Sequence, residues 1–251
     1  MSSIGTPFLS VSSLPAADLP LRRMRFLILV AGGTGTRMNR SVAKQFLPLG
    51  GRPVIVHTLE RFREAFSDLF VVLVLHERLH STWEEVVKAH PEAAVDGVVD
   101  GGAERFHSVL KGLESLPDEA GWVGIHDAVR PFVEVDTIRR CYSAAKEHGG
   151  AIPVVPVKDT IRRVGEDGSS PLDRATLRAV QTPQVFSLPE LRKAYARDYA
   201  AHFTDDASVW ESSGRALRLV EGDLHNLKLT TPEDLLSAEA FLALRRSADG
   251  E

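Results

Sequence analysis

The segment Phe26-Leu-Ile-Leu-Val-Ala-Gly-Gly-Thr-Gly-Thr-Arg-Met38 constrains this chain more than any other. An unbroken apolar run that stops at a glycine-rich turn reads as a strand buried on both faces, as in a parallel sheet. Gly32, Gly33 and Gly35 have no Cβ, so backbone N–H groups there can close on an anion. Two fixed cations follow, Arg37 and Lys44. The segment reads as a polyphosphate cradle, against the plainer alternative of a turn joining strand to helix with both cations solvated. Two familiar phosphate loops do not fit. A Walker A loop needs Gly-Lys-Ser/Thr, and Gly35 is followed by Thr36-Arg37. The dinucleotide fingerprint needs a third glycine where Met38 stands, which also argues against a nicotinamide-dependent dehydrogenase.

Beyond this loop, apolar runs alternate with segments of helical periodicity. Strands are expected at Leu69–Leu75, Val95–Val99, Trp122–Ile125, Ala151–Val157 and Ala216–Val220. Helices are expected at Pro53–Phe66, His76–His90, Glu104–Leu116, Val135–His148, Leu188–Tyr199, Asp205–Ser212 and Pro232–Arg245. Such alternation implies right-handed crossovers and a mostly parallel α/β sheet. No linker or repeat divides the chain, so residues 24–251 are expected to form one domain behind a flexible tail over residues 1–23. Met24 directly precedes the first strand, which suggests that the tail reflects an upstream start codon. Lys158 to Thr182 departs from the pattern, being polar, with Gly165, Gly168, Pro171 and β-like stretches at Thr160–Val164 and Leu177–Val180. It reads as a projecting hairpin arm over 158–182. Docking on a second subunit and a free surface hairpin both remain open.

The net charge of −4 gives no support for a nucleic-acid or anionic-membrane partner, so any anion site must be built locally. Neither a secretory apolar core nor a membrane-spanning run is present, and a cytoplasmic protein is expected. A single cysteine excludes an intramolecular disulfide and a cysteine-rich metal site. Cys141 shares helical spacing with Val135, Ile138, Tyr142 and Ala145, which points to a packing role.

Ligands in open parallel sheets bind at the carboxyl ends of strands. Besides the glycine loop, three polar clusters follow expected strands: Asp100-Gly-Gly-Ala-Glu-Arg-Phe-His-Ser108, His126-Asp-Ala-Val-Arg-Pro131, and the segment from Asn226 through Lys228 to Asp234. Arg105 and Ser108 enter a helix whose N-terminus favours anions. Asp127 is placed to approach Mg²⁺ or a ligand hydroxyl, or else to cap a helix or pair with Arg130. His126 reads as a packing residue rather than a base. Asp205 and Asp206 are first a capping signal. Neither a nucleophile elbow nor an HExxH pair is present. That suits a reaction whose nucleophile is already anionic: a phosphate monoester, with a second pKa near ~6, needs no general base at neutral pH. Positioning and charge neutralisation by Arg, Lys and Mg²⁺ would then suffice.

Taken in order, Ala31-Gly-Gly-Thr-Gly-Thr-Arg-Met38 with Lys44-Gln45, Gly101-Gly102 with Arg105 and Ser108, and His126-Asp-Ala-Val-Arg-Pro131 match one family. So do Pro156-Val-Lys-Asp-Thr160, Asp173-Arg174, Gln181-Thr-Pro-Gln184, Thr204-Asp-Asp-Ala-Ser208 and Asn226-Leu-Lys228. From about Arg25 to Leu242 the chain resembles the 2-C-methyl-D-erythritol 4-phosphate cytidylyltransferases of non-mevalonate isoprenoid synthesis. The resemblance implies a Rossmann-like three-layer nucleotidyltransferase fold and a reaction of CTP with methylerythritol phosphate in the presence of Mg²⁺ or another divalent cation. By that likeness Arg37 and Lys44 stabilise charge at the α-phosphate, and Ala31, Gly32, Gly33, Gly35, Gly102, Ser108 and Ala128 line the nucleotide site, with Ala103 beside them. Thr160, Arg174 and Lys228 would hold the sugar phosphate, helped by Asp127, Arg130, Thr182 and Thr204, with Asp127 also the candidate metal ligand. The likeness further implies a homodimer in which the arm crosses to the partner, so that active sites are shared. Three positions depart from the usual pattern: Ala43 replaces a proline, Gly32 an alanine, and Ala103 an aspartate that contacts the nucleotide in some members. Ribitol 5-phosphate cytidylyltransferases share the first and third motifs and are the nearest rival; a non-catalytic nucleotide-binding protein is the rival of another class.

Overall fold

Leucine, isoleucine and valine runs free of interior charge form the centre of one large sheet. The structure is a computed structural model that describes residues 25–32 and 42–249. The chain runs through β1 (Arg25–Ala31), a hairpin of β2 (Pro48–Leu49) and β3 (Arg52–Pro53), α1 (Val54–Ala65), β4 (Phe70–Leu75), α2 (His80–Ala89), β5 (Gly97–Asp100), α3 (Arg105–Ser115) and β6 (Trp122–Asp127). It continues with α4 (Val135–His148), β7 (Gly150–Pro156), β8 (Arg162–Gly165), β9 (Gly168–Pro171), β10 (Arg178–Val180) and β11 (Gln184–Ser187). Last come α5 (Leu188–Tyr195), α6 (Asp206–Ser212), β12 (Arg218–Glu221) and α7 (Pro232–Asp249).

β1 pairs in parallel with β4 on one side and β6 on the other, and β5 extends the sheet beyond β4. β11 is antiparallel to both β6 and β7, and β12 is parallel to β7. Ala151 of β7 faces Val185 of β11 and Arg218 of β12, so those strands flank β7. The order is therefore β5-β4-β1-β6-β11-β7-β12. From β1 the chain first builds outward through β4 and β5, then returns to the other side at β6. The strand order reverses between β1 and β6, where such sheets open a ligand crevice.

Alternation along β1 feeds two cores. Leu27 and Leu29 pack with Ile55, Leu59 and Phe62 of α1 and Ile138, Cys141 and Tyr142 of α4. Phe26 and Ile28 pack with Val109 and Leu113 of α3, Leu188 and Leu191 of α5, and Trp210 of α6. The result is the expected mostly parallel three-layer arrangement. A third cluster joins Leu49, Val54, Val129, Phe132 and Leu229 to Ala238 of α7, which closes one end of the sheet.

Several expectations change in detail. Residues His76–His90 form a 3-10 turn at Glu77–Leu79 before α2, α5 stops at Tyr195, and α7 runs on to Asp249. β11 has no counterpart in the sequence reading. Its Val185 and Phe186 enter opposite cores, so a four-residue strand buried on both faces shows no alternation. The Leu177–Val180 stretch, read as arm, instead supplies β10, which lies antiparallel on β7 within the main sheet. What projects is the β8–β9 hairpin, which among the described residues pairs only with itself. No residue from 158 to 180 is buried, and Val164 is 81% exposed. The expected tail over 1–23 lies outside the described residues. Among those residues no helix is long and apolar enough to cross a membrane.

Cys141 lies fully buried on the core-facing side of α4, and burial pushes its thiol up to about 12. A thiol of that kind is inert. The native protein is expected to resist a disulfide-exchange reagent and to release one equivalent per chain only after denaturation; fast labelling of native protein would contradict the packing.

Candidate active site

At the order reversal, Val30 of β1 stands opposite Asp127 of β6, and the Ala128 N–H donates to the Val30 carbonyl at 3.1 Å. Asp127 thus leaves the sheet at its carboxyl edge, and three cations converge on it. Arg130 Nε lies 3.1 Å from Oδ2, Lys228 Nζ 3.1 Å from the same oxygen, and Arg105 Nε 4.0 Å from Oδ1. These come from the loop after β6, the loop before α7 and the first turn of α3. Burial alone would raise the Asp127 pKa. Arg105, Lys228 and Arg130 outweigh it and hold the carboxyl well below the usual carboxylate range. Arg130 also donates to the Asn226 carbonyl at 2.7 Å, tying two of these loops together.

Arg105 is held from behind. Its Nη2 donates to Asp206 Oδ2 at 2.6 Å, while the Tyr195 hydroxyl donates to Oδ1 at 2.7 Å. Burial opposes the guanidinium charge, but Asp206 and Asp127 raise its pKa further, so it stays a fixed cation. His126, fully buried against Phe62, is pushed down to about 3 by burial and is neutral. Its Nε2 lies 3.4 Å from the Arg130 carbonyl and its Nδ1 2.9 Å from Thr182 Oγ1. A carbonyl only accepts, so the proton sits on Nε2 and Nδ1 accepts from the threonine hydroxyl. That matches a packing residue rather than a base.

The glycine loop from Gly33, with Gly35 and Arg37, lies outside the described residues. Its approach is defined: Ala31 ends β1, and the Gln45 amide donates to the Ala31 carbonyl at 2.9 Å. This bond ties the 3-10 turn Lys44–Phe46, and Lys44 with it, to the end of β1. Across the crevice, a Cβ on Gly32 would come 3.3 Å from Ser108 Oγ. Ser108 accepts the Gly102 N–H at 3.0 Å and donates to the Glu104 carbonyl, so its hydroxyl braces the turn into α3. Gly102 has no substitute, because a Cβ would lie 2.3 Å from that of His107. Ala103 is exposed at the same turn. Ala128 is buried in the core, its N–H on Val30 and its carbonyl accepting from Thr58 at 2.9 Å.

Of the remaining expected residues, the structure brings Asp127, Arg130 and Lys228 into direct contact. Thr182 is buried beneath them, with its hydroxyl on His126 and the Asp127 N–H. Thr204 is exposed just before Asp205, which caps α6 through a reciprocal pair with Ser208. Thr160 and Arg174 sit on the arm, where Arg174 donates to the Lys158 carbonyl. Sequence reasoning did not see that Asp206 is the buried partner of Arg105. The available signal was two adjacent acids where a cap requires one.

Asp127 makes stability depend on pH. A carboxyl with a depressed folded pKa contributes fully above its unfolded value, about 4, and loses that contribution as pH falls through the folded value. Asp127→Asn is therefore expected to cost roughly 2 kcal/mol at neutral pH, and the gap from wild type should close under acid. Denaturant titrations at several pH values check this; a gap independent of pH would refute it.

A profile of the 2-C-methyl-D-erythritol 4-phosphate cytidylyltransferases matches residues 26–244. The enzyme of that name from Bacteroides thetaiotaomicron is 46% identical over 216 residues, covering 86% of this chain and 98% of its own. The one from Geobacillus kaustophilus is 45% identical over 221 residues, covering 87% and 96%. The crystal structure of the Thermus thermophilus enzyme superposes with a TM-score of 0.67 at 32% identity, covering 88% of this chain and 99% of that one. With its fold, its ordered motifs and nearly its whole folded length in agreement, the chain belongs to the 2-C-methyl-D-erythritol 4-phosphate cytidylyltransferase family.

Proposed function

We propose that the protein joins CTP to 2-C-methyl-D-erythritol 4-phosphate, giving CDP-methylerythritol and pyrophosphate. The observation that carries this reading is the convergence of Arg105, Arg130 and Lys228 on the single carboxylate of Asp127, at the sheet's switch point, in a member of this family. With Arg105 also paired to Asp206, three cations against two acids still leave a positive excess suited to a phosphate. Lys228 is 43% exposed and can exchange Asp127 for a ligand oxygen. The sugar phosphate is mostly dianionic at neutral pH, so one of its oxygens attacks the α-phosphorus directly, and the bond to the β-phosphate breaks as pyrophosphate leaves.

In this reading Arg37 and Lys44 neutralise charge developing at the α-phosphate, with the glycine loop, Gly102 and the α3 turn around the nucleotide. Lys228, Arg130 and Asp127 receive the sugar phosphate with Thr204, and Thr160 and Arg174 complete its binding. Magnesium belongs to the reading as charge carried on the triphosphate. Asp127 is already surrounded by cations, and no group of three metal-ligating side chains occurs among the described residues. The residues present therefore fit a cation held by phosphate oxygens and water, where it would offset nucleotide charge.

The dimer is part of the proposal, and so is a cytoplasmic setting. An isolated two-stranded hairpin is marginal in water, and β8–β9 finds no cover among the described residues. An arm docked on the partner would place Thr160 and Arg174 in the partner's site.

Pyrophosphate release from CTP and Mg²⁺, with methylerythritol 4-phosphate and ribitol 5-phosphate offered in parallel, tests the function. Preference for the former is expected. Preference for ribitol phosphate would move the acceptor, and CTP binding without turnover would leave a nucleotide-binding protein. Lys44→Ala should lower kcat far more than it weakens CTP binding; unchanged turnover would remove Lys44 from the reaction.

Sharing of the site has its own check. Arg174→Ala and Lys228→Ala, each nearly inactive alone, are mixed and allowed to exchange subunits. Mixed dimers carry one intact site each, so activity should recover to about one quarter of wild type. No recovery would place Arg174 and Lys228 in the same chain's site.

A further inference from the structure

From the end of β10 to the first residue of β11, the segment Gln181-Thr-Pro-Gln184 carries three buried polar side chains, and each is bonded to a different loop of the site. Gln181, 8% exposed, closes an amide pair on the backbone of Asp223: its Nε2 donates to the carbonyl at 2.7 Å, and its Oε1 accepts the N–H at 3.1 Å. The neighbouring Gly222 leaves that room, since a Cβ there would come 2.6 Å from Oε1. The same loop is held again at Asn226, whose Nδ2 donates to the Thr182 carbonyl at 2.8 Å, and it leads directly to Lys228. Thr182 accepts the Asp127 N–H at 3.2 Å and donates to His126, which fixes the loop carrying Asp127 and Arg130. Gln184, 1% exposed, grips the start of α6 from both sides. Its Nε2 donates to Asp205 Oδ2 and its Oε1 accepts the Ala207 N–H, each at 2.9 Å. Between those two residues stands Asp206, the partner of Arg105.

The direction of the strand makes this arrangement available. β6 and β7 deliver their loops at their carboxyl ends, and β11 runs the other way between them. The segment that enters β11 therefore lies at the ligand edge, with a neighbour on each side.

We propose that Gln181, Thr182 and Gln184 are positioning residues that set three ligand loops against one another, with Gln181 acting through Lys228 and Gln184 through Arg105. This rests on the cytidylyltransferase reading and gives Thr182 a supporting place rather than a ligand contact. Neither glutamine faces the crevice through a free polar atom pair; both oxygens and nitrogens are engaged with backbone or with Asp205.

The test is a set of double-mutant cycles in the full-length protein, with Gln181→Met and Gln184→Met each combined with Lys228→Ala and Arg105→Ala. Gln181→Met is expected to raise KM for methylerythritol phosphate about tenfold while KM for CTP stays within about twofold. In the Lys228→Ala background it should add no more than about a further twofold loss in kcat/KM, yet keep most of its effect beside Arg105→Ala. Gln184→Met should show the opposite pairing. Multiplicative losses in the matched pairs, or equal coupling in all four, would overturn the proposal. If a methionine variant does not fold, Gln181→Asn or Gln184→Asn, which keeps a neutral amide but falls one methylene short of its partners, is read by the same criteria. A wild type without turnover would overturn the functional reading instead. The cycles are then read in calorimetric binding of CTP and methylerythritol phosphate, where loss of the matched coupling still defeats the proposal.

Discussion

The carboxylate of Asp127 is the point on which the site depends. A lone acid buried at the carboxyl edge of β6 would be driven neutral, yet three cations hold it ionised. The same contacts work in reverse on the cations. Arg105, Arg130 and Lys228 arise from three separate loops, and without a shared counter-charge they would repel one another across the crevice. Each group is thereby oriented before any ligand arrives, and a bound phosphate enters by exchange with an existing partner. Its affinity is then a difference between two ionic arrangements.

Behind the charges lies a neutral scaffold. His126 is kept uncharged by burial, so its ring can pass a hydrogen bond from Thr182 to the Arg130 carbonyl without adding a fourth cation. Tyr195 serves Arg105 in a similar way, by occupying the second oxygen of Asp206. A buried polar group left half satisfied would cost stability, and the His126, Thr182 and Tyr195 side chains are matched, whereas Asn226 Oδ1 and Asp223 Oδ2 are buried without a partner among the described residues.

Much of this was legible in the sequence, for identifiable reasons. β1, β4 and α4 declare themselves because long apolar runs and a sustained helical period need no partner to be recognised. The motif after β6 brought Asp127, Arg130 and their loop to the correct edge, and Lys228 was placed before the correct helix. What escaped depends on contacts between distant residues. β11 is too short to carry a period, and Arg178–Val180 looks like the end of a polar arm until β7 is known to lie beside it. The pairing of Asp206 with Arg105 joins residues 101 positions apart, and nothing local to either announces it. The bonds of the Thr182 hydroxyl to His126 and to the Asp127 N–H are likewise invisible in the sequence, because a short polar motif looks the same whether its side chains face a ligand or the loops that surround it.

The antiparallel entry of β11 also divides the chain into places that tolerate change in length and places that do not. The β8–β9 turn at Glu166-Asp167 stands free in solvent, and residues added there lengthen the arm without disturbing any other pairing. Between Val180 and Gln184 a single inserted residue would move Gln181 or Thr182 out of reach of the loops they hold relative to Gln184. Related chains can therefore drift in the reach of the arm while the spacing at its root stays fixed.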